Sequence, residues 1–390
     1  MTQKLQEILN LFPKCKEDKI PWDELEKTTL SPLFSGMAKT NQHLEYHGEG
    51  DVLTHTKMVC EELIKDSEYW EYSERERQVL FLSALLHDIG KIKRTRLIDG
   101  ILSSPHHAKT GSVMAREYLW RELNLCGARE KQDFRESVCA FIKYHSYPPF
   151  AISNNKPNLK MLKIASVGKL CTDFSIRKLC LLERADINGR ISISNKDHLE
   201  KIELCKMLAE ELSCLDKPYS FKSEYTERAF YKGKTDYPDI ELFNDTWGTV
   251  IMLSGLPGTG KDTFINANYK GMPIVCLDDI RVEMKISPTD NQGLVVAEAN
   301  KRAKELLRKK QPFVWNATNI TSDIRALLIP LFEDYGASVK IVFLETDWNE
   351  QLRRNSSRKS EVPESAIKKM LSRLEPPEAY EAQTVEYHIT

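Results

Sequence analysis

Hydrophobic residues recur at helical spacing through the first half of the chain. An apolar residue returns every three or four positions in four stretches, which begin at Val52, Arg75, Arg135 and Arg177. This spacing places the apolar side chains on one face of an amphipathic helix. Strand-like patterns are nearly absent before Trp247. The pattern therefore predicts an all-α domain over residues 1–215.

The pattern changes after Trp247. Four short apolar runs alternate there with segments of helical periodicity, and the runs are TVIMLS, MPIVCL, PFVWNA and SVKIVFLE. Strands that alternate with helices form a parallel sheet covered on both faces. Residues 247–390 are therefore predicted to form an α/β domain. Residues 216–246 are polar, aromatic and interrupted by Pro and Gly, which is typical of a linker or a surface strap.

The length and charge of the chain limit its possible partners. The 390 residues exceed the usual size of one hydrophobic core, which agrees with two domains. A hydrophobic content of 41% and a charged content of 29% are typical of a soluble globular protein. The net charge is −1, so the chain has no general positive field for a long nucleic acid. We expect any polynucleotide to be bound locally, at an end or through a few phosphates.

The cysteines and the N-terminal segment indicate a cytoplasmic protein without a membrane partner. The nine cysteines are scattered without a CxxC pair, which is typical of reduced and mostly buried thiols. The first residues, MTQKLQEILN, are amphipathic and charged, and they lack the apolar core of a signal peptide. The longest apolar run, near Val250, is too short to span a membrane.

The sequence SGLPGTGKDT, which begins at Ser254, fits the GxxxxGK pattern of a phosphate-binding loop. It follows a predicted strand and opens a predicted helix. Glycines let the backbone approach phosphate oxygens, while the amides, the helix N-terminus and a lysine supply positive charge. We therefore expect ATP, or another nucleoside triphosphate, to bind here with Mg²⁺. The expected phosphate-binding residues are Gly255, Gly258, Thr259, Gly260, Lys261, Asp262 and Thr263.

The loop departs from its pattern at Asp262, which stands where a serine or threonine usually follows the lysine. The usual hydroxyl contacts Mg²⁺. A carboxylate near phosphates is repulsive unless a metal lies between them. Asp262 could thus be a metal ligand or turn outward, and Thr263 could supply the hydroxyl instead.

Two further segments bring charged groups to the expected nucleotide crevice. The run MPIVCL leads into DDIR, with Asp278 and Arg281, at the strand end where parallel sheets bind ligands. An aspartate there could accept a proton from an attacking hydroxyl, and an arginine could hold a phosphate of the acceptor. A later basic segment, with Arg353, Arg354 and Arg358, could close as a helical lid over the transferring phosphoryl group. Taken singly, a helix cap and a solvated basic face explain the same residues.

Together these segments resemble the polynucleotide kinase branch of P-loop phosphotransferases, over residues 248–390. The resemblance implies that Asp278 is the general base and that Arg281 contacts the acceptor phosphate. It also implies that Lys261 and Arg358 act in the transfer. In phage-type 5′-hydroxyl kinases the lid reads RNxxR before a VP step, and a Thr-Asn pair follows the third strand. The matching residues are Arg354, Asn355, Arg358, Val362, Pro363, Thr318 and Asn319, whereas Ala317 replaces an aspartate of the family.

The helical domain contains a set of histidines and aspartates in or beside apolar helices. The sequence LLHDIGK places His87 and Asp88 at the end of an apolar helix that Gly90 terminates. Each member taken singly could be a core histidine or a capping aspartate. Together, four histidines and two aspartates in one helical domain suit a divalent transition metal such as Mn, Fe, Co, Ni or Zn. The candidate ligands are His55, His87, Asp88, His107, His145 and Asp186.

This order resembles the HD phosphohydrolase superfamily, H…HD…H…H…D, over residues 40–195. The stretch HGEGDVLTHT is also similar to the start of the HD domain in some bacterial tRNA nucleotidyltransferases. The resemblance implies one metal on His55, His87, Asp88 and Asp186, and a second on His107 and His145, with Asp88 shared. Two such ions can orient a water and lower its pKa.

Other polar residues near these ligands could have supporting roles. Lys91 and Arg190 lie one helical turn from the two aspartates and could bind the scissile phosphate, although a solvated side chain is an equal reading. We prefer His107 to His106, because the family spacing is HxxxG. We do not expect His43 or His47 to be ligands, and His47 could support one.

A fusion of these two domains resembles the bacterial HD-Pnk end-healing enzymes. The resemblance implies a kinase that phosphorylates 5′-hydroxyl polynucleotide ends and an HD domain that hydrolyses 2′,3′-cyclic, 2′- or 3′-phosphate ends. Its substrates would be RNA ends, with DNA ends left open, and a separate ligase would be a partner. Two alternatives remain. One is a nucleotide-metabolism kinase fused to a small-nucleotide phosphohydrolase, and the other is a nucleotide-sensing P-loop switch that controls an HD hydrolase.

Overall fold

A computed structural model describes residues 2–287, 290–358 and 360–390. Contacts divide the chain into two compact units, Met1–Tyr219 and Ser220–Thr390. Most of the predicted linker, residues 216–246, therefore lies within the second unit, and the predicted domain borders stay a prediction. The predicted fold class is confirmed, because a helical unit precedes a unit with a parallel sheet.

The first unit is helical apart from one short hairpin, which pairs β1 (Arg96–Ile98) with β2 (Ile101–Ser103). Single 3₁₀ turns lie at Pro148–Phe150 and Ser166–Lys169. Its α-helices are α1 (Gln3–Asn10), α2 (Trp22–Leu25), α3 (Ser31–Ala38), α4 (Val52–Lys65), α5 (Ser67–Glu71), α6 (Glu74–Leu86), α7 (Lys91–Arg94), α8 (His107–Arg121), α9 (Arg129–Tyr144), α10 (Pro157–Ala165), α11 (Ile176–Asn188) and α12 (Asn195–Glu211).

Helix α6 forms the centre of this unit. Its start is fixed by a capping box, in which Ser73 and Glu76 exchange side-chain-to-backbone hydrogen bonds. Every residue from Val79 to Leu86 is buried, so the helix is surrounded by protein on all sides. The two residues that follow, His87 and Asp88, are consequently placed in the interior.

A very close contact joins the end of α6 to the start of α8. Gly90 has an ordinary helical φ of −65°. A Cβ atom added to it would nevertheless lie 2.0 Å from His107 O and 2.6 Å from Gly111 N. Only glycine allows this approach, which brings Asp88 and His107 side by side.

The second unit is built on one five-stranded sheet. Its strands are β3 (Thr249–Ser254), β4 (Ile274–Cys276), β5 (Val314–Asn316), β6 (Ser338–Glu345) and β7 (Thr384–Ile389). They are parallel in the order β4-β5-β3-β6-β7. Four of them match the predicted apolar runs, and β7 was not anticipated. Apolar clusters cover both faces of the sheet, one around Trp315 and Phe332 and the other around Leu253 and Val342.

The helices of the second unit carry the predicted loop and lid. They are α13 (Glu224–Tyr231), α14 (Lys261–Asn268), α15 (Leu277–Glu283), α16 (Gly293–Arg308), α17 (Ser322–Glu333), α18 (Trp348–Ser356) and α19 (Glu364–Leu371), with a 3₁₀ turn at Ala379–Glu381. Helices α18 and α19 occupy the region predicted to be the lid.

The predicted strap contains helix α13, which packs on the sheet unit. Ser223 caps the helix through Thr226 N, and Phe230 and Tyr231 are buried. Arg228 Nε lies 2.6 Å from Glu333 Oε1, and Lys232 Nζ lies 2.8 Å from the other oxygen. Glu333 itself is largely buried. This part of the segment is therefore built into the second unit.

The nine cysteines of the chain are all free thiols. No helix in the described ranges combines the length and the apolar character needed to cross a lipid bilayer.

Candidate functional sites

Four histidines of the first unit converge at one point. His55 comes from α4 and His87 follows α6, while His107 begins α8 and His145 follows α9. The Nε2 atoms of His55 and His87 are 3.4 Å apart. Those of His107 and His145 are 3.3 Å apart. The structure thus brings together all four predicted histidines.

The Nδ1 atom of each ring faces a main-chain carbonyl. The distances are 2.8 Å from His87 to Ala84 O, 2.9 Å from His107 to Ser104 O, 2.8 Å from His145 to Ile142 O and 3.2 Å from His55 to Gly189 O. A carbonyl oxygen can only accept a hydrogen bond, so these contacts place the ring proton on Nδ1. The Nε2 lone pairs then face one another. Burial lowers the pKa of His145 to about 3, which favours the neutral ring. Lone pairs this close fit a cation between them.

Two carboxylates supply the matching negative charge. Asp88 lies between the histidine pairs, with Oδ2 at 3.3 Å from His87 Nε2 and Oδ1 at 3.3 Å from His107 Nε2. Asp186 Oδ1 is 2.9 Å from His55 Nε2. Both Oδ1 atoms are buried without a well-formed hydrogen bond. Buried oxygens of this kind need another partner, which a metal would provide.

Among the described residues, three groups of three donors lie close enough to hold a cation. Two of them share Asp88, one with His55 and His87 and the other with His107 and His145, and the third joins His47, Glu49 and His55. His106 belongs to none of these groups. Neutral imidazoles and carboxylates are the ligand set of divalent transition metals, so the residues present fit the implied metals. The cluster is compatible with divalent metal binding, and the number of ions stays a prediction.

Lys91 and Arg190 contact the candidate ligands rather than open space. Lys91 Nζ is 2.6 Å from Asp88 Oδ2 and 2.6 Å from Gln42 Oε1. Arg190 Nη2 is 2.7 Å from Asp186 Oδ2. Burial would raise the pKa of Asp88, but Lys91 and His87 outweigh burial and hold that pKa well below its ordinary value. A role for either cation toward a substrate phosphate stays a prediction.

Sequence reasoning missed Glu49, which is almost completely buried behind this centre. Its Oε1 atom is 2.9 Å from Nδ1 of both His55 and His47. Its Oε2 atom accepts a hydrogen bond from Ile191 N. Burial would raise the pKa of Glu49, but the two histidines outweigh it and lower that pKa. Glu49 therefore orients His55, and its place in HGEGD, six residues before His55, was the available signal.

The phosphate-binding loop of the second unit connects β3 to α14. Gly258 has a φ of 82°, and an added Cβ would lie 2.6 Å from Gln351 O. The side chain of Gln351 donates to Pro257 O at 2.9 Å, so the lid helix α18 braces the loop. Lys261 Nζ donates to Gly255 O at 2.9 Å and Leu256 O at 2.8 Å. Burial lowers the pKa of Lys261 to about 8.

Asp278 lies in the first turn of α15 and is exposed. Arg281 pairs with its Oδ1 atom, and Arg358 Nη2 lies 3.7 Å from Oδ2. Arg281 also donates to Gln292 Oε1 at 2.8 Å. The charges of Asp278 and Arg358 influence the pKa of Lys261. The structure thus gathers the predicted base, the predicted acceptor arginine and one lid arginine beside the loop.

The other lid arginines are anchored by Glu350. Arg354 Nε is 2.7 Å from Glu350 Oε1, and its Nη1 atom lies 3.4 Å from the position of a Cβ on Gly260. Arg353 is mostly exposed and pairs with the same carboxylate at 2.7 Å. Asn355 is buried and exchanges hydrogen bonds with the backbone of Val362. Asn355 therefore shapes the lid turn.

The Thr-Asn pair after β5 supports the loop from below. Gly255 N donates to Thr318 O at 2.9 Å, and Asn319 Nδ2 donates to Leu253 O at 2.6 Å. The fully buried Arg325 donates to Asn319 O, to Glu375 O and to the carboxylate of Glu381; these contacts measure 2.9, 2.9 and 2.6–2.8 Å. The base of the loop is thus tied to residues near the end of the chain.

Three further residues belong to the phosphate-binding loop or follow it directly. Asp262 Oδ1 accepts a hydrogen bond of 2.9 Å from Asn316 Nδ2. Thr259 Oγ1 donates to Leu256 O at 2.9 Å, and Thr263 is exposed.

Comparisons with known proteins agree with this division. Residues 52–168 match the HD domain family, and residues 250–377 match the AAA domain family. The chain is 27% identical over 135 residues to the L-seryl-tRNA(Sec) kinase of Methanococcus maripaludis, covering 33% of the chain and 53% of that protein. It thus spans about half the length of this relative. A gluconokinase structure from Sinorhizobium meliloti is 21% identical to the chain. The match covers 37% of this chain and 85% of the gluconokinase chain, with a TM-score of 0.29.

The chain therefore joins an HD domain to a P-loop kinase-like domain. The kinase-like domain implies ATP with Mg²⁺, and the cluster of histidines and aspartates is compatible with divalent metals.

Proposed function

We propose that this chain heals broken polynucleotide ends. Its C-terminal domain transfers the γ-phosphate of ATP to a 5′-hydroxyl end, and its HD domain hydrolyses a 2′,3′-cyclic, 2′- or 3′-phosphate at the other end. The observation that carries the kinase half is the exposed Asp278 carboxylate, held between Arg281 and Arg358 beside the phosphate-binding loop. A nucleotide-sensing switch needs no acceptor base, whereas a transferase does.

The kinase residues divide the transfer among them. When the acceptor binds, its hydroxyl replaces an arginine as the partner of Asp278. Asp278 then takes the proton of this hydroxyl as the oxygen attacks the γ-phosphorus. The new O–P bond forms while the bond to the β,γ-bridging oxygen breaks, and ADP leaves with that oxygen's charge. Lys261 and the loop amides neutralise the phosphates, and Arg358 stabilises the charge on the transferring group. Arg281 holds the phosphate of the acceptor strand.

The HD residues form a site of opposite chemistry. Bound divalent ions would supply an activated water and stabilise the leaving oxygen. The protein holds the donors in place: carbonyls fix the four imidazoles, Lys91 fixes Asp88 and Arg190 fixes Asp186. Adding and removing phosphate on one substrate would be futile. The two reactions are compatible when they act on different ends, as after RNA cleavage that leaves a cyclic phosphate and a 5′-hydroxyl.

A second candidate follows from the relative of the kinase-like domain. Its name, L-seryl-tRNA(Sec) kinase, indicates an acceptor hydroxyl on a group attached to tRNA. The match covers 135 residues at 27% identity, so this acceptor class is tested beside polynucleotide ends. Small nucleotides are the third class.

Acceptor and end assays separate these functions. The full chain is incubated with γ-labelled ATP and 5′-hydroxyl RNA and DNA oligonucleotides, seryl-tRNA or mononucleotides. A parallel set offers oligonucleotides ending in cyclic, 2′- or 3′-phosphate, with a panel of divalent metals. We expect label on oligonucleotide ends and loss of the terminal phosphate. Label on seryl-tRNA or mononucleotides alone would replace the end-healing proposal, and nucleotide turnover unaffected by any acceptor would support a switch.

Two matched substitutions test whether the sites are independent. Asp278→Asn should lower kinase activity about 10²- to 10⁴-fold, the usual effect of removing a general base, and leave the hydrolase intact. The neighbouring exposed Asp279→Asn is its control. Asp88→Asn should remove only the hydrolase. Loss of both activities from either change would contradict separate sites.

A further inference from the structure

The phosphate-binding loop has an unusual partner on the neighbouring strand. P-loop enzymes usually hold Mg²⁺ with a hydroxyl that follows the loop lysine and with an aspartate from elsewhere on the sheet. Here the residue after Lys261 is Asp262, and β5, which lies beside β3, ends in Asn316. The carboxylate here follows the loop lysine, and a neutral amide stands at the end of the neighbouring strand.

The two residues are in direct contact. Asn316 is 7% exposed and lies at the C-terminal end of β5, level with Cys276 of β4. Its Nδ2 atom donates to Asp262 Oδ1 at 2.9 Å. Among the residues that the structure describes, Asp262 Oδ2 has neither a hydrogen bond nor an ion pair. A rigid amide therefore holds the carboxylate by one oxygen and leaves the other available.

The charge at this place favours a metal ligand. An aspartate in the first turn after the loop lies where the phosphates of a nucleotide bind, and it repels them unless a cation lies between. Mg²⁺ prefers hard oxygen ligands and is usually bound by one or two carboxylates together with substrate phosphates. Asp262 and Asn316 together supply one carboxylate and one neutral group. Their summed charge equals that of the usual pair of a hydroxyl and an aspartate.

We propose that Asp262 binds the Mg²⁺ of the nucleotide directly through Oδ2 and that Asn316 is a positioning residue for this carboxylate. The proposal rests on nucleotide binding at the loop. It depends neither on the identity of the acceptor nor on the HD reaction, so it stands even if the end-healing assays fail.

The test measures the affinity of the full chain for ADP by calorimetry, once with Mg²⁺ and once with EDTA. The readout is the ratio of these two affinities. It requires no reaction at the HD centre, the cluster of histidines and aspartates in the first unit. Asp262→Ser should lower this ratio about 10- to 100-fold, the usual effect of disturbing a metal site. Affinity in EDTA should be kept or improved, because a negative charge is removed. Asn316→Ala should also lower the ratio, because Asp262 loses the amide that positions it.

The double variant Asp262→Ser with Asn316→Asp provides the decisive comparison, because it moves the carboxylate to the neighbouring strand and should recover the ratio that Asp262→Ser loses. Asp262→Asn keeps the side-chain volume and serves if the serine variant unfolds. Asn266→Ala, an exposed change on the same helix, should leave the ratio unchanged. An unchanged ratio in the Asp262 variants overturns the proposal, as does a double variant no better than Asp262→Ser.

Discussion

At the scale of single residues, a hydrogen bond behind each imidazole decides which nitrogen of the HD centre can bind a cation. Three of these bonds come from helix carbonyls or a turn, but His55 also depends on the Glu49 carboxylate. The ligands could be predicted from the sequence, because their residue types and helical surroundings are visible. Glu49 and Gln42 were missed, since they lie on a loop without periodicity and contact residues that only folding brings near; the HGEGD stretch was the one available signal, and it concerned Glu49.

Glu49→Gln should therefore weaken metal binding by the HD centre about 10- to 100-fold, because the ligand His55 loses its charged partner. Competition with a chelating dye, measured for Mn²⁺ or Zn²⁺, reports this without any reaction. Glu45→Gln, an exposed change on the same loop, is the matched control. An unchanged affinity would mean that Gly189 O alone orients His55.

A second buried charge belongs to stability rather than to the site. Glu136 is almost fully buried and pairs with Arg116 Nη2 at 2.8 Å and with Arg135 Nε at 2.8 Å. Burial would raise the pKa of Glu136, but both arginines outweigh it and lower that pKa. Removing one partner of such a group leaves uncompensated charge in the interior.

Glu136→Gln should lower the free energy of unfolding by about 3–5 kcal/mol, the usual loss when a buried ion pair is broken. Denaturant unfolding of the full chain measures it, with the transition of the first unit followed separately. Glu130→Gln, at an exposed position of the same helix, should change the free energy by less than about 0.5 kcal/mol. Equal effects of both changes would contradict this assignment.

At the scale of elements, the contact between the end of α6 and the start of α8 sets the spacing of the two ligand groups. The sequence predicted α6 and marked Gly90 only as a helix terminator, whereas α8 was not among the four predicted helical stretches. The second role of Gly90, as the point where α8 approaches, depends on the packing of elements and could not be read from the chain.

Gly90→Ala should abolish phosphate hydrolysis and destabilise the first unit by about 1–3 kcal/mol, because the added carbon has no room against a backbone oxygen. Hydrolysis assays and thermal unfolding are the measurements. Gly36→Ala is the control, because its nearest neighbour is the movable end of the Ile92 side chain. Retained hydrolysis in Gly90→Ala would show that this contact does not maintain the ligand spacing.

The elements that sequence analysis missed share a physical reason. Strand β7 has alternating, half-exposed residues and only six positions, and α13 lies in a polar segment broken by Pro and Gly. Both are stabilised by tertiary contacts, β7 by pairing with β6 and α13 by Glu333. The bond between Asp262 and Asn316 was hidden for the same reason, since the strand order must be known before β5 can be placed beside the loop.

At the scale of the whole molecule, the division into two units predicts where the chain can be cut. Residues 220–390 should fold cooperatively and bind ATP. Residues 247–390 should be less stable by about 3–5 kcal/mol, because Glu333 loses Arg228 and Lys232. Denaturant unfolding and nucleotide binding of both fragments check this. In the full chain, Arg228→Gln should destabilise the second unit and the exposed Lys234→Gln should not. Equal stability of the two fragments would mean that residues 220–246 act only as a linker.

The tie between Arg325 and the segment around Glu381 has a consequence for biosynthesis. A chain emerges from the ribosome N-terminal end first, and its domains fold in that order. The candidate metal ligands lie within residues 55–186, so their cluster can assemble while the second unit is still being translated. The phosphate-binding loop is translated early in the second unit, but the contacts of Arg325 with Glu375 and Glu381 and the pairing of β7 with β6 require residues 375–389. Ribosome-attached intermediates should therefore acquire hydrolase activity well before they can retain ATP.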